Sequence, residues 1–207
     1  MPNWCSNYIE IKGTKENMKP ILDFFENGKQ DKLVMSHFVP HDEEYAELEK
    51  SGNYLLNPQT EFYGTKWDFE LSEVSICNAS DDEVSFSVQT AWSPPEAFCA
   101  KLSVKYGVDV IITYSEPGFD FAGKSTFSAD GEANINTYTY LEGLYEFDKE
   151  QFWSECEYTM ESVLEGCDHK TTFKKIMKEE FPIVMGDKND EAQLMEIYHR
   201  AKKDLGN

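Results

Sequence analysis

The sequence predicts an α+β chain built on an antiparallel sheet, followed by helices. Three observations predict it. Stretches of alternating polarity recur at residues 7–12, 84–89 and 108–114, and a period of two marks a half-buried strand. Helical stripes and turn signals separate these stretches in the order strand, helix, strand, strand, helix, strand. After Tyr140 the apolar period changes from that of strands to that of helices.

The elements follow in order. Asn7 to Lys12 sets Ile9 and Ile11 on one face and Glu10 and Lys12 on the other. Gly13 ends the strand and Thr14 is placed to cap a helix over 15–27, where Met18, Ile21, Leu22 and Phe25 form one apolar stripe. Residues 28–62 are less regular, with a short acidic helix over Asp42 to Lys50 and breaks at Pro40 and Pro58. A second strand is expected near 70–77, with Leu71 or Val74 and Ile76 inward, and Asn78 to Asp82 turns the chain. In the third strand Val84, Phe86 and Val88 alternate with Ser85, Ser87 and Gln89.

Ser93-Pro94-Pro95-Glu96 reads as a helix start, with Ser93 as cap, Pro94 in the first turn and Glu96 completing a capping box. Phe98, Leu102 and Val104 or Tyr106 give its buried face, and Gly107 stops it. The fourth strand is Val108 to Tyr114, and Pro117-Gly118 suits a type II turn. Phe119 to Phe127 and Glu132 to Tyr140 flank Asp130-Gly131, a strong hairpin signal. Beyond Tyr140, Asp148 caps a helix with Phe152, Cys156, Met160 and Val163 or Leu164 on one face. A further helix starts at Thr171 or Thr172 with Phe173, Ile176 and Met177. The last, from about Asp190, carries Leu194, Met195, Tyr198, Ala201 and Leu205.

This order is the split βαβ, ferredoxin-like one. Residues 1–142 are expected to form that domain, with an excursion at 28–66 and an extra hairpin at 119–140, and residues 143–207 a helical region. That region is a small second domain or, as preferred, an addition packed on the main one; its last helix is also a candidate dimer contact. In spatial order 4-1-3-2, the starts of strands 1 and 2 and the ends of strands 3 and 4 share one edge of the sheet. Four motifs border those positions: Met1 to Asn7, Tyr63 to Asp68, Thr90 to Pro95, and Ser115 to Gly118.

Asn3, Trp4, Asn7, Lys66, Trp67, Asp68, Trp92 and Glu116 are therefore the candidate binding residues. Two arrangements fit them. Trp4, Trp67 and Trp92 plug one end of the core while Asn3 and Asn7 satisfy turns. Alternatively, the same residues line a pocket whose polar groups are Lys66, Asp68 and Glu116, with the helix start near Ser93 able to hold an anion. Glu116 has the chemistry of an acid–base group, but nothing singles it out.

Composition narrows the function. The chain has 39 acidic and 19 basic residues, a net charge of −20, and one arginine, Arg200. The excess is spread along the chain, since residues 1–140 hold 23 acids and 10 bases. Such a field repels nucleic acid and anionic membranes and attracts basic protein surfaces. Cys5, Cys77, Cys99, Cys156 and Cys167 form no Cys-x-x-Cys pair and read as mostly buried reduced thiols. His41-Asp42-Glu43-Glu44 holds metal-competent groups, but consecutive helical residues point to different faces; His169 and His199 are isolated. No metal or cofactor is expected, no apolar run is long enough for a membrane helix, and no secretory signal is visible. A cytoplasmic location follows.

The motifs resemble the YubB family, ferredoxin-like proteins of bacteriophages and conjugative plasmids. Its members open with Met-Pro-Asn-Trp-Cys-x-Asn and carry Gly-x-Lys-Trp, Trp-Ser-Pro-Pro and Glu-Pro-Gly segments followed by an aromatic-Gly stretch. Here these are Met1 to Asn7, Gly64 to Trp67, Trp92 to Pro95, and Glu116 to Gly118 with Phe121-Ala122-Gly123. Tyr63 stands where relatives often have tryptophan. The resemblance covers residues 1–127, or 1–140 with the hairpin included, and not the helical tail. It implies a ferredoxin-like fold and a mobile-element setting, and no activity or catalytic residue carries over from it.

The expectation is a non-enzymatic accessory protein of a phage or plasmid that binds a host protein with a basic surface, in its sharpest form as a nucleic-acid mimic. The alternative is a small-ligand binding module or enzyme using the Trp-rich edge. Direct binding of RNA or DNA is opposed by the charge and the scarcity of arginine.

Overall fold

The computed structural model describes residues 3–50, 57–166, 173–185 and 187–204. The expectations for Met1, Pro2, Cys167, His169, Thr171, Thr172 and Leu205 lie outside these residues. The chain divides into two compact units, residues 1–140 and 141–207. Among the described residues no helix is long and apolar enough to cross a membrane.

In the first unit β1 (Trp4–Lys12) alternates as its sequence demands, burying Cys5, Asn7, Ile9 and Ile11. It starts earlier than the alternation of Ile9 and Ile11 indicates. Thr14 caps α1 (Lys15–Asn27), its hydroxyl accepting from the Asn17 amide, and Met18, Ile21, Phe24 and Phe25 face inward. The excursion then forms three short helices, α2 (Val34–Phe38), α3 (Glu43–Lys50) and α4 (Pro58–Tyr63). Pro58 begins α4 rather than breaking the chain, because Asn57 caps it and a first-turn proline loses no helical donor. Val34, Met35, Phe38, Phe62 and Tyr63 join the main core, and the Tyr63 hydroxyl donates to the Val39 carbonyl at 2.6 Å.

The second strand, β2 (Ser75–Ala79), is shorter than expected, since Leu71 lies in a 3-10 turn (Leu71–Glu73) before it. β3 (Glu83–Ala91), α5 (Glu96–Tyr106), β4 (Asp109–Glu116), β5 (Phe121–Phe127) and β6 (Ala133–Tyr138) follow. The sheet is antiparallel with order β2-β3-β1-β4-β5-β6, the ferredoxin-like order extended by the hairpin. Val84, Phe86, Val88, Val110, Ile112 and Tyr114 share the core with Ile9 and Ile11 and with α1 and α5 residues. Gly107 ends α5 at φ +64 and Gly131 turns the hairpin at φ +91; both are conformations that glycine adopts without a Cβ penalty.

Several local expectations fail for identifiable reasons. Ile76 is 48% exposed although it pairs with buried Phe86. β2 is the outer strand, its register breaks between Ile76 and Asn78, and every residue in it is exposed. Of the two alternatives on α5, Val104 is exposed, because Cys99 and Ser103 turn the buried face away from it, and Tyr106 packs against the core. Ser93 does not cap α5; its hydroxyl donates to the Gly64 carbonyl at 2.6 Å, and Pro95 holds the cap position. Pro117-Gly118 makes no type II turn, because Gly118 has no positive φ; the left-handed residue is Asp120, at φ +55. On the polar face of β3, Ser85 is buried and its hydroxyl has no partner among the described residues.

The second unit carries its own core. Its helices are α6 (Tyr140–Phe147), which the sequence reading did not separate, α7 (Lys149–Gly166), α8 (Phe173–Glu180) and α9 (Lys188–Asp204). Asp148 accepts from the Gln151 amide at 3.0 Å and so caps α7. Phe152, Cys156, Met160 and Leu164 of α7 and Leu194, Ile197, Tyr198 and Ala201 of α9 are buried. Met195, expected in that stripe, is 37% exposed, and Ile197 replaces it.

The contrast between Phe86 and Ile76 is testable. Phe86→Ala should cost about 3–5 kcal/mol as a large-to-small core change. Ile76→Ala should stay within about 0.5 kcal/mol of wild type, as surface changes do. Shifts in the urea midpoint read both, and a comparable loss from Ile76→Ala would place β2 inside the core.

Candidate functional site

The four motifs meet, and a set of buried polar contacts joins them. Asn7 lies on the inward face of β1, 3% exposed, where an alternating strand would place an aliphatic residue. Its Nδ2 reaches the Cys5 carbonyl at 2.9 Å, the Val88 carbonyl at 3.2 Å and the Thr90 hydroxyl at 2.9 Å. Thr90 Oγ1 in turn donates to the Ser93 carbonyl at 2.8 Å. These bonds hold the start of β1 to the end of β3 and shape the chain just beyond it.

The second motif is clamped to the third. Gly64 ends α4 at φ +93, and a Cβ there would stand 2.8 Å from the Pro94 carbonyl oxygen and 2.9 Å from the Glu96 nitrogen. Only glycine meets both the conformation and the approach. Thr65 Oγ1 donates to the Ala91 carbonyl at 3.0 Å, beside the Ser93 bond to Gly64. Asp68 then caps α2 from outside: its carboxylate accepts the Met35 and Ser36 amides at 2.9 and 2.8 Å. It also accepts the Phe69 amide at 2.8 Å.

The fourth motif closes on the first. Glu116 is 2% exposed and its two carboxylate oxygens accept the amides of Gly118, at 3.0 Å, and Phe119. A Cβ on Gly118 would lie 2.5 Å from Asn3 Nδ2 and 2.8 Å from Glu116 Oε1, so a larger residue there would have to displace the ends of these two side chains. The Asn3 carbonyl accepts the Trp92 amide at 2.9 Å.

This framework presents aromatic rings outward. Trp4 and Trp67 are each 46% exposed, Trp92 37% and Phe119 58%. Trp4 and Trp67 stand 6.3 Å apart between ring centroids, and Trp92 and Phe119 5.7 Å apart. Lys66 Nζ lies 5.0 Å from the Trp67 centroid. The tryptophans therefore do not plug the core; the cores beneath are filled by residues such as Tyr63 and Phe98. Trp92 holds φ +74, a genuine outlier for a bulky residue.

The expected polar groups divide by use. Asp68 and Glu116 are committed to backbone amides, and Asn7 to carbonyls and a hydroxyl. Lys66 and the rings face outward. Phe119, Gly64, Thr65, Thr90 and Ser93 were not among the expected site residues. A large apolar residue directly after Pro117-Gly118 was the available signal for Phe119. His41 stacks on Tyr45 at 3.5 Å, and Glu44 pairs with Lys101 at 2.9 Å. Among the described residues no group of three or more His, Cys, Asp or Glu side chains could hold a metal ion.

Burial also sets the thiols. Cys5 is pushed up to about 12 by desolvation, with the Glu116 charge adding to it. Burial raises Cys156 to about 12 and raises Cys99 as well. Cys77 is exposed. A thiol reagent at neutral pH should therefore label Cys77 alone among Cys5, Cys77, Cys99 and Cys156 in the folded protein, as located by peptide mass spectrometry. Labelling of Cys5 at a comparable rate would mean that the edge opens in solution.

Known proteins bear on this domain. Residues 60–162 match the family model described as a ferredoxin-like domain in Api92-like protein. The match starts within α4 and ends within α7, so it includes three of the four motifs and part of the helical tail. No curated protein matches the chain. Among solved structures, the crystal structure of a protein api92 from Yersinia pseudotuberculosis is similar at 8% identity and a TM-score of 0.47, over 67% of this chain and 98% of that one. Residues 60–162, just under half of the chain, are thus similar to the ferredoxin-like domain of Api92-like protein.

Proposed function

We propose that this chain is a non-enzymatic accessory protein of a bacteriophage or plasmid, acting in the cytoplasm, that binds a host protein through the aromatic edge. The backbone of Trp92 carries this reading. A left-handed conformation at a bulky residue costs on the order of 1–3 kcal/mol and persists where the surroundings over-determine it. Here the cost sets an indole at the surface beside Phe119. Exposed tryptophans on a rigid frame are the usual anchors of a protein interface.

Charge supports the choice of partner. Residues 1–140 carry 23 acids and 10 bases, which favours approach of a basic surface and speeds encounter at low salt. Neither a catalytic carboxylate nor a polar ligand pocket is favoured at this edge, because Asp68 and Glu116 already accept backbone amides. The mimic form of the proposal demands in addition that the partner be a nucleic-acid-binding protein whose retention falls steeply with salt.

Trp92→Gly separates presentation from packing. Glycine adopts φ +74 freely, so the variant should keep its stability to within about 1 kcal/mol while binding the partner about tenfold more weakly or worse. Partners are captured from nuclease-treated bacterial lysate at low and high salt on wild type and variant, and thermal unfolding is run in parallel. Undiminished capture by the variant would overturn the proposal, and so would a loss of several kcal/mol, which would make Trp92 a packing residue.

A further inference from the structure

The two outer strands of the sheet differ in how they are defended. Sheet edges recruit other strands, and proteins blunt them with shortness, charge, proline or a bulge. β2 has five residues and a register break in its middle. β6, at six residues, is barely longer and has no such break. It pairs with β5 without a break from Phe127↔Ala133 to Ala122↔Tyr138, and no strand lies beyond it among the described residues. Ala133 to Thr137 are all exposed, Ile135 at 55%. The run Ala133-Asn134-Ile135-Asn136-Thr137-Tyr138-Thr139-Tyr140-Leu141 contains no charged residue and no proline.

We infer that β6 is a self-association edge, pairing antiparallel with β6 of a second copy about a two-fold axis at Ile135. This register sets Ile135 opposite its own symmetry mate, Asn134 opposite the second Asn136, and Ala133 opposite the second Thr137. It sets Ile135 against itself and the asparagine amides against each other, with no like charges opposed, and one surface serves both copies. Charge selects the occupant. Two chains of net charge −20 repel over most of their surfaces, and β6 is a strip along which they meet without juxtaposing carboxylates. A basic strand from another protein would find no counter-charge in that row. A five-residue overlap buries less than the 1,200–2,000 Å² typical of stable interfaces, on the order of half or below, so the dimer is weak and reversible.

Sedimentation velocity across a protein concentration series at low and high salt tests this. The dimer fraction should rise with concentration and also with salt, because screening relieves the repulsion; partner binding at the aromatic edge is expected to weaken with salt instead. Ile135→Lys sets like charges directly opposite and should weaken dimerisation about tenfold or more; Asn136→Lys breaks the amide pair with Asn134 of the second copy and should weaken it by less. Thermal midpoints should be unchanged, since both side chains are exposed in the monomer. A monomer at every concentration and salt would overturn the inference, as would a dimer indifferent to both substitutions. Neither result bears on capture through Trp92.

Discussion

The aromatic edge depends on the side-chain amide of Asn7. An aliphatic residue at that inward position would satisfy the strand pattern and leave the Thr90 hydroxyl without the donor it has at 2.9 Å. With asparagine there, one polar chain runs from Asn7 through Thr90 to the Ser93 carbonyl, and Ser93 in turn reaches Gly64. Each of these groups is at least partly buried, so each link is costly to lose, about 1–3 kcal/mol for an unsatisfied member. The consequence is geometric. β1, the end of β3 and the turn after α4 hold one arrangement, and the left-handed Trp92 is the residue that arrangement forces outward.

The same logic governs the acidic groups. Asp68 and Glu116 look from sequence like site chemistry, yet each binds two or more backbone amides and so stabilises a turn or helix start. What remains at the surface is apolar ring area framed by a strongly negative chain. In the proposed reading that combination meets a basic macromolecule, the two carboxylates of the edge being already engaged by backbone amides. The sheet manages its other exposed surfaces unevenly: the β2 edge is broken by its bulge, while the β6 edge is continuous and uncharged.

Much of the fold was legible because the signals were local. Alternation in Val84, Phe86 and Val88, the caps at Thr14 and Asp148, and Asp130-Gly131 each carry their own physics, and the order of elements then fixes which strand ends share an edge. The convergence of the motifs followed from that order. The failures arose where a distant residue decides. Ser93 reads as a cap by spacing, but Gly64 competes for its hydroxyl from 29 positions away. α2 lacks a side-chain cap of its own and is held by Asp68 from 32 to 33 positions downstream. Ile76 has the right phase for the core, and only its place on an outer strand exposes it. Whether three tryptophans plug a core or face outward is likewise not a property of their spacing.

Hydroxyl-radical footprinting of the free protein, read by peptide mass spectrometry, tests the central claim most directly. The account predicts that Trp4, Trp67 and Trp92 oxidise readily while Tyr63, fully buried in the same unit, stays protected. Protection of all three tryptophans to the level of Tyr63 would contradict it, because the edge would then be a packed end of the core and not a presented surface.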